Sequence, residues 1–264
     1  MNPLVKNKKV LVTGASGGIG QFIAIHIAMN GGTPILIARS ADKLKVIASI
    51  LEEKFHVSCH WYQADLSKEE EWKAVSDRII AEHDRIDALV NNAGLGVFDY
   101  FAHSKWEDIN RMIQVNITAL LRATYQVVPH MIAHGNGHIV NIASQSGKMA
   151  TPKSAVYAAT KHAVLGFTNA LRMEMAHHGI RVTGVNLGPV RTNFFAQADP
   201  SGDYQRAVEP WMLDANQVAR RIVNQLFKDK REINLPAWME AGSKLHYQFP
   251  GLTEKMLHKQ FNKK

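Results

Sequence analysis

The chain has a single cysteine in 264 residues, Cys59, so an internal disulfide is excluded. Its setting, "HVSCHWYQ", reads as part of a strand, and Cys59 is expected in the core. No apolar run reaches the length of a bilayer-crossing helix. The opening "MNPLVKNKKV" passes from lysines into a strand pattern without an apolar signal core, and a soluble cytoplasmic protein is the expectation. Acidic or cysteine ligands at metal spacing are also missing. His130 and His134 stand four apart, but Pro129 is expected to break the helix there. They read as a solvated helix end, and no metal is expected.

The formal net charge of +8 has no stripe to carry it. Apart from "KNKK" near the start and the lysines near the end, the bases are scattered, with no interleaved aromatics and no nucleic-acid-binding motif. A nucleic-acid partner is not expected.

What the chain does have is 46% hydrophobic residues arranged in short aliphatic runs that alternate with longer segments of helical period. "KVLVTG" precedes a helix from Ile19, "PILIA" one after Ser40, and "VSCHWYQ" one after Ser67. Further on, "IDALVNN" precedes a long helix from Lys105 to about Ala133, and "GHIVNIAS" precedes "SAVYAATKHAVLGFTNALRMEMAHHG". "IRVTGVNLG" is followed by a loop and the helix "DANQVARRIVNQLF". Ser67 with Glu70 and Ser104 with Glu107 have the spacing of capping boxes.

Nearly continuous apolar strands separated by helices predict an α/β fold with a Rossmann-like, doubly wound parallel sheet of about seven strands, helices on both faces. The number of units is short of the eight that a TIM barrel needs. One domain over 1–264 is expected, with 189–213 as an irregular segment and 236–264 as a C-terminal extension.

Four glycines fall within seven residues of "VLVTGASGGIGQFIAIHIA", between the first strand and the first helix. Gly14, Gly18 and Gly20 there permit a tight turn, close approach of a pyrophosphate to the backbone and close helix–strand packing. The helix N-terminus offers free amides and a positive dipole end to phosphate.

The spacing T-G-x-x-x-G-x-G, Thr13 to Gly20, resembles the short-chain dehydrogenase/reductase family. Further motifs follow in family order: "NNAG" at 91–94, Asn116 in "VNIT", Ser144 in "NIAS", "YAATK" at 157–161 and "NLGPVRT" at 186–192. Ser144 precedes Tyr157 by thirteen residues, and the likeness covers about residues 7–235.

The resemblance implies a dinucleotide site built from Gly14, Ser16, Gly18, Ile19, Gly20, Asp65, Asn92, Ala93, Gly94, Tyr157, Lys161, Pro189 and Thr192. Asp65 would lie beside the adenine, Asn92 to Gly94 along the ribose, and Thr192 at the nicotinamide amide. At the end of the second strand an acid would bind the ribose hydroxyls, whereas a base would pair with the phosphate of NADP. This chain places Ala38 and then Arg39 there, which favours NADP(H) over NAD(H). Many NADP-preferring relatives also carry a base just before the second glycine, where this chain has Gly17. Ser16 and Ser40 could add hydroxyl contacts or serve as ordinary turn and cap residues.

Carbonyl reduction requires a hydride at carbon and a proton at oxygen, and a free phenol holds its proton tightly at neutral pH. Tyr157 and Lys161 stand at i and i+4, so the ammonium is expected to lower the phenol's pKa. Ser144 would hydrogen-bond the substrate oxygen, and Asn116 would hold a water in a proton relay. Ser146 and Asn91 are assigned loop and structural roles. The implied activity is interconversion of a carbonyl and an alcohol by a homodimer or homotetramer. A non-catalytic NADP-binding regulator or scaffold on the same fold is the alternative.

Phe194, Phe195, Trp211 and Met212 in the 189–213 segment could form the apolar wall of a substrate lid, implying a substrate with an apolar body, or ordinary core contacts. The basic, aromatic tail has membrane-surface attachment, subunit contact or pocket closure open to it. Leu252 and Met256 project near Lys259 and Lys263, with Leu257 and Phe261 on the other side, which disfavours a clean membrane-binding face.

Overall fold

The computed structural model describes residues 1–261, with side chains as far as Met256. The first unit is β1 (Lys9–Thr13) and α1 (Gly18–Met29), followed by β2 (Thr33–Ala38), α2 (Ala41–Phe55), β3 (His60–Gln63) and α3 (Glu69–Glu82). The second half begins with β4 (Ala88–Asn91) and α4 (Trp106–Ile113), a π-helical segment Gln114–Thr118, and α5 (Ala119–Ala133). It continues through β5 (Gly137–Ile142), α6 (Ala155–Met175) and β6 (Ile180–Leu187). Next come β7 (Val190–Arg191), α7 (Phe194–Ala198), α8 (Asp203–Val208), β8 (Leu213–Asp214), α9 (Ala215–Val223) and β9 (Glu232–Leu235). Two helices close the described chain, α10 (Ala237–Gln248) and α11 (Pro250–Phe261).

Seven strands form one sheet in the order β3-β2-β1-β4-β5-β6-β9, every pair parallel. Both faces are covered, so both sets of alternating side chains are apolar. Val10, Val12 and Leu36 pack under α1, α2 and α9, whereas Leu11, Ile35 and Ile37 pack against α3, α5 and α6. Cys59 is buried in the first cluster, where burial, with the charge of Glu52 adding to it, pushes its thiol up to about 12. Among the described residues no helix is long and apolar enough to cross a membrane.

Several local expectations change. The capping boxes do not form: α3 and α4 start one residue beyond the position those boxes require, with Lys68 and Lys105 at their caps and no side-chain cap bond. Ser67 Oγ instead donates to the Asp65 carboxylate at 2.7 Å, and Ser104 Oγ donates to the Tyr100 carbonyl at 3.2 Å. Those bonds hold the two hydroxyls toward the preceding turn, and the helices begin one residue further on. The single helix expected from Lys105 to Ala133 is divided by the π-helical segment. Pro129 does not break α5, because it and Tyr125, whose carbonyl loses its N–H donor, lie on the exposed side. The 189–213 segment is not irregular: it folds as a small parallel pair, β7 with β8, and two short helices.

His130 Nε2 accepts the Ile86 N–H at 3.2 Å, and His134 Nδ1 lies 2.8 Å from the His130 carbonyl. In the tail, Leu252 and Met256 are exposed, and the Leu257, Lys259, Phe261 and Lys263 side chains lie outside the described residues.

Candidate active site

The strand order reverses between β1 and β4, and a crevice opens where their carboxyl ends diverge. Two loops meet there. Thr13 Oγ1 accepts the N–H groups of Asn92 and Ala93, both at 3.0 Å, while Asn92 Nδ2 donates to the carbonyls of Thr13 at 3.0 Å and Gly14 at 3.3 Å. The Asn92 side chain is thus spent on holding the glycine turn. Gly14 has φ +67°, and a Cβ on it would sit 2.9 Å from Ala93 Cα. A Cβ on Gly20 would come within 2.6 Å of Asn92 Nδ2, so only glycine lets α1 approach this closely.

One cavity of about 1160 Å³ runs from this turn across the carboxyl ends of β4, β5 and β6. It brings together Gly14, Ser16, Gly18, Ile19, Asn92, Ala93, Gly94, Ser144, Tyr157, Lys161, Pro189 and Thr192. Gly20, Arg39, Asp65 and Asn116 lie outside its lining. Gly20 is a packing residue. Arg39 is exposed beside Asp65, whose carboxyl burial pushes up but which the Ser67 hydrogen bonds and the charges of Arg39 and Lys68 hold below its ordinary value.

The crevice fits a dinucleotide on its own geometry. The first residues of α1 line it, and that helix has neither a side-chain cap nor an acid in its first turn, leaving its amides and dipole for an anion. A Cβ on Gly17 would meet nothing within 4 Å, so space stands over this helix end. Asp42 and Lys43, at the start of α2, also line the cavity. Sequence reasoning stopped at Ser40 and missed them, although the first turn of the following helix is the next place a base can reach the same space.

Deeper in, Ser144 stands two residues past the end of β5, and Tyr157 and Lys161 lie one turn apart on α6. Ser144 is buried, donates from Oγ to the Leu187 carbonyl at 3.3 Å, accepts the Ser146 N–H at 3.1 Å and hydrogen-bonds Tyr157. Lys161 is 5% exposed and donates to the Ile142 carbonyl at 2.9 Å, with Nζ 5.8 Å from the Tyr157 ring centre. Burial lowers its ammonium to about 8.

The expected lowering of Tyr157 is not what this arrangement produces. Burial pushes the phenol above its ordinary value, the Ser144 hydrogen bond opposes that rise, and the Tyr204 charge adds to it. Desolvation of the phenol outweighs the Ser144 hydrogen bond.

Asn116 lies in the π-helical segment, 1% exposed. Its Oδ1 accepts the Leu95 N–H at 2.8 Å, and its Nδ2 donates to the Leu95 carbonyl at 2.8 Å and to Thr160 Oγ1 at 3.0 Å. It therefore clasps the loop carrying Gly94. Asn91 is likewise buried, donating to Thr124 and Asn141.

The outer cavity is aromatic. Phe194, Phe195 and Trp211 line it, and Met212 does not. Sequence reasoning missed Phe98, which meets Tyr157 edge-on at 5.5 Å, as well as Tyr204, and Trp238 of α10, which meets Trp211 edge-on at 6.2 Å. Helix α10 is fastened at its base by Lys148, whose ammonium bonds Glu232 at 2.7 Å and Glu240 at 2.6 Å.

A parallel sheet with a dinucleotide crevice and a Ser-Tyr-Lys group, its serine and lysine buried, defines a nucleotide-binding oxidoreductase. Residues 8–202 match the model of the short chain dehydrogenase family, and the chain belongs to that family. An uncharacterized oxidoreductase of Staphylococcus saprophyticus is 36% identical over 215 residues, 78% of this chain and 86% of that protein. A short-chain dehydrogenase from Sphingobium yanoikuyae in complex with NADPH superposes with a TM-score of 0.80 at 29% identity, covering 92% of this chain and 96% of its own. A family member from Burkholderia phymatum in complex with NAD gives a TM-score of 0.86 over 94% and 95% of the two chains. At 22% identity that likeness is one of fold.

Proposed function

We propose that this protein is an NADP(H)-dependent oxidoreductase that interconverts a carbonyl and an alcohol on a small molecule with an apolar body. The observation that carries the reading is the junction of Ser144, Tyr157 and the buried Lys161 with the glycine turn in one cavity. When bound, the nicotinamide supplies or accepts the hydride. In the reducing direction Tyr157 gives its phenolic proton to the carbonyl oxygen, and Ser144 Oγ turns its one proton from the Leu187 carbonyl to that oxygen as charge develops on it. Lys161 stabilises the phenolate left behind and binds the nicotinamide ribose. Asn116 keeps Gly94 beside Lys161, and its Oδ1 has one lone pair beyond the Leu95 bond for a relay water. Phe98, Phe194 and the 189–213 segment exclude water from the reacting atoms.

Arg39 and Lys43 favour NADP(H), and the NADPH held by the Sphingobium relative supports that choice. We place the protein in the cytoplasm, as a homodimer or homotetramer, on the family's habit. The test is oxidation of NADPH and of NADH by purified protein over a panel of ketoacyl thioesters, ketosteroids, quinones and small ketones. NADPH-selective turnover that Tyr157→Phe lowers by about 10³-fold or more is expected, since the proton donor is removed. Preference for NADH, or an active Tyr157→Phe protein, would overturn the reading.

A further inference from the structure

The cavity that holds Tyr157 has a second apolar wall, on α10. Trp238, Met239, Gly242 and Leu245 recur there at helical spacing and present one face of the helix to the cavity. A helix ordinarily seats its apolar stripe on a core. Helix α10 does not: Ser243 is its one buried residue, and Trp238 and Leu245 stay 56% and 52% exposed although both line the cavity. Trp211, which meets Trp238 edge-on at 6.2 Å, and Met256 of α11 are open in the same way, at 49% and 70%. The helix is nonetheless held, because the Lys148 ammonium joins its Glu240 to Glu232 of β9. A Cβ on Gly242 would meet nothing within 4 Å, so space lies against the middle of the stripe.

The polar groups of this wall are already engaged. Ser243 Oγ donates to the Glu240 carbonyl at 3.0 Å, and Thr253 Oγ1 lies 2.8 Å from His246 Nδ1 and 2.9 Å from the Pro250 carbonyl. Among the described residues that line the cavity, the charged ones are Asp42 and Lys43 at the nucleotide end and Lys161 at the reacting centre.

We infer that the α10 stripe and Trp211 form a subsite for the tail of the substrate, which is a ketone or secondary alcohol carrying a long aliphatic chain. The inference rests on the carbonyl chemistry proposed above. With the reacting carbon at Tyr157, a small ketone leaves the Trp211–Trp238 pair in water, whereas a long chain reaches the pair and covers it. Each methylene buried there adds to binding, and the unbranched thioethers of Met239 and Met256 adapt to a flexible chain. Continuity with the reacting centre in one cavity assigns the stripe to the substrate and not to a second copy of the chain.

The probes are the methyl ketones from 2-butanone to 2-decanone, their binding to the full chain with saturating NADP read by calorimetry. Affinity in wild type should rise by about fourfold per methylene, about 10³-fold across the series. Trp238→Ala removes half of the pair, and Gly242→Glu puts a carboxylate on the stripe while replacing a helix-interior glycine with a better helix former. Each should weaken 2-decanone by about 10-fold and move 2-butanone by far less. An affinity that levels off by 2-hexanone, or variants that act alike on both ketones or on neither, would overturn the assignment. A level series together with loss of the oligomer in Trp238→Ala would give the stripe to a second copy instead. If the variants do not fold, the wild-type series decides alone. NADPH oxidation along the series is a separate arm: length-dependent binding without turnover refutes the carbonyl chemistry and keeps the tail subsite, and turnover with a KM independent of length does the reverse.

Discussion

The Lys161 ammonium donates to the Ile142 carbonyl at 2.9 Å, inside a site that leaves the lysine 5% exposed. Burial holds it at about 8 against an ordinary value of 10.5. The unfolded chain therefore binds the proton more tightly than the fold does. Stability is depressed below pH 8 and recovers as pH rises from about 8 to 10.5, by on the order of 3 kcal/mol. Urea unfolding of nucleotide-free protein at pH 7 to 10 should show this rise in wild type and lose it in Lys161→Met. Parallel curves for the two proteins would contradict the burial argument.

His138 predicts the opposite end of the pH scale. It is fully buried in β5, its Nδ1 accepts the Phe227 N–H at 2.8 Å, and its Nε2 lies 2.9 Å from Thr183 Oγ1. Nδ1 as acceptor makes Nε2 the protonated nitrogen, and the ring neutral. Burial, helped by the charge of Arg181, lowers it from 6.5 to about 3, so its contribution to stability is present above pH 6.5 and is lost as pH falls toward 3. His138→Gln keeps a donor and an acceptor without titrating. The urea midpoint of that variant should fall less between pH 7 and 4 than that of wild type, the remaining slope including His83, which burial lowers to about 4. Identical slopes would rule out the buried neutral ring.

Gly17 gives a gain-of-contact prediction. Its backbone is extended and a Cβ there would meet nothing within 4 Å, so a side chain can enter the crevice without strain. Gly17→Arg should lower the NADPH Kd by about threefold to tenfold, an ordinary return for one charge-assisted contact, and leave NADH nearly unchanged. Nucleotide fluorescence titration and a melting curve check it. A fall in Tm of many degrees, or equal gains for both nucleotides, would show that the helix end is not where the extra phosphate sits.

Much of the site was legible because its parts are local. The Tyr157–Lys161 spacing is one helical turn, and the Gly14–Gly20 turn needs residues without side chains wherever a strand feeds a helix at this angle. The capping boxes at Ser67 and Ser104 were not legible correctly, because each hydroxyl is turned back to a local turn, to Asp65 and to the Tyr100 carbonyl, and the helices start one residue later. Phe98, Tyr204 and Trp238 come from three separate segments, and no pattern in any one of them says that they share a wall.

The sequence by itself determined the alternation of strands and helices, the placing of glycines at the β1–α1 turn, and the identity and spacing of Ser144, Tyr157 and Lys161. All of these follow from backbone periodicity and local sterics. Only the tertiary structure decided which of them meet in one cavity, that Asn92 and Asn116 spend their amides on holding loops, and which way Tyr157 titrates. Spacing along a helix predicted a lowered phenol. Burial raised it, because desolvation depends on everything that packs around a group and not on its neighbour one turn away.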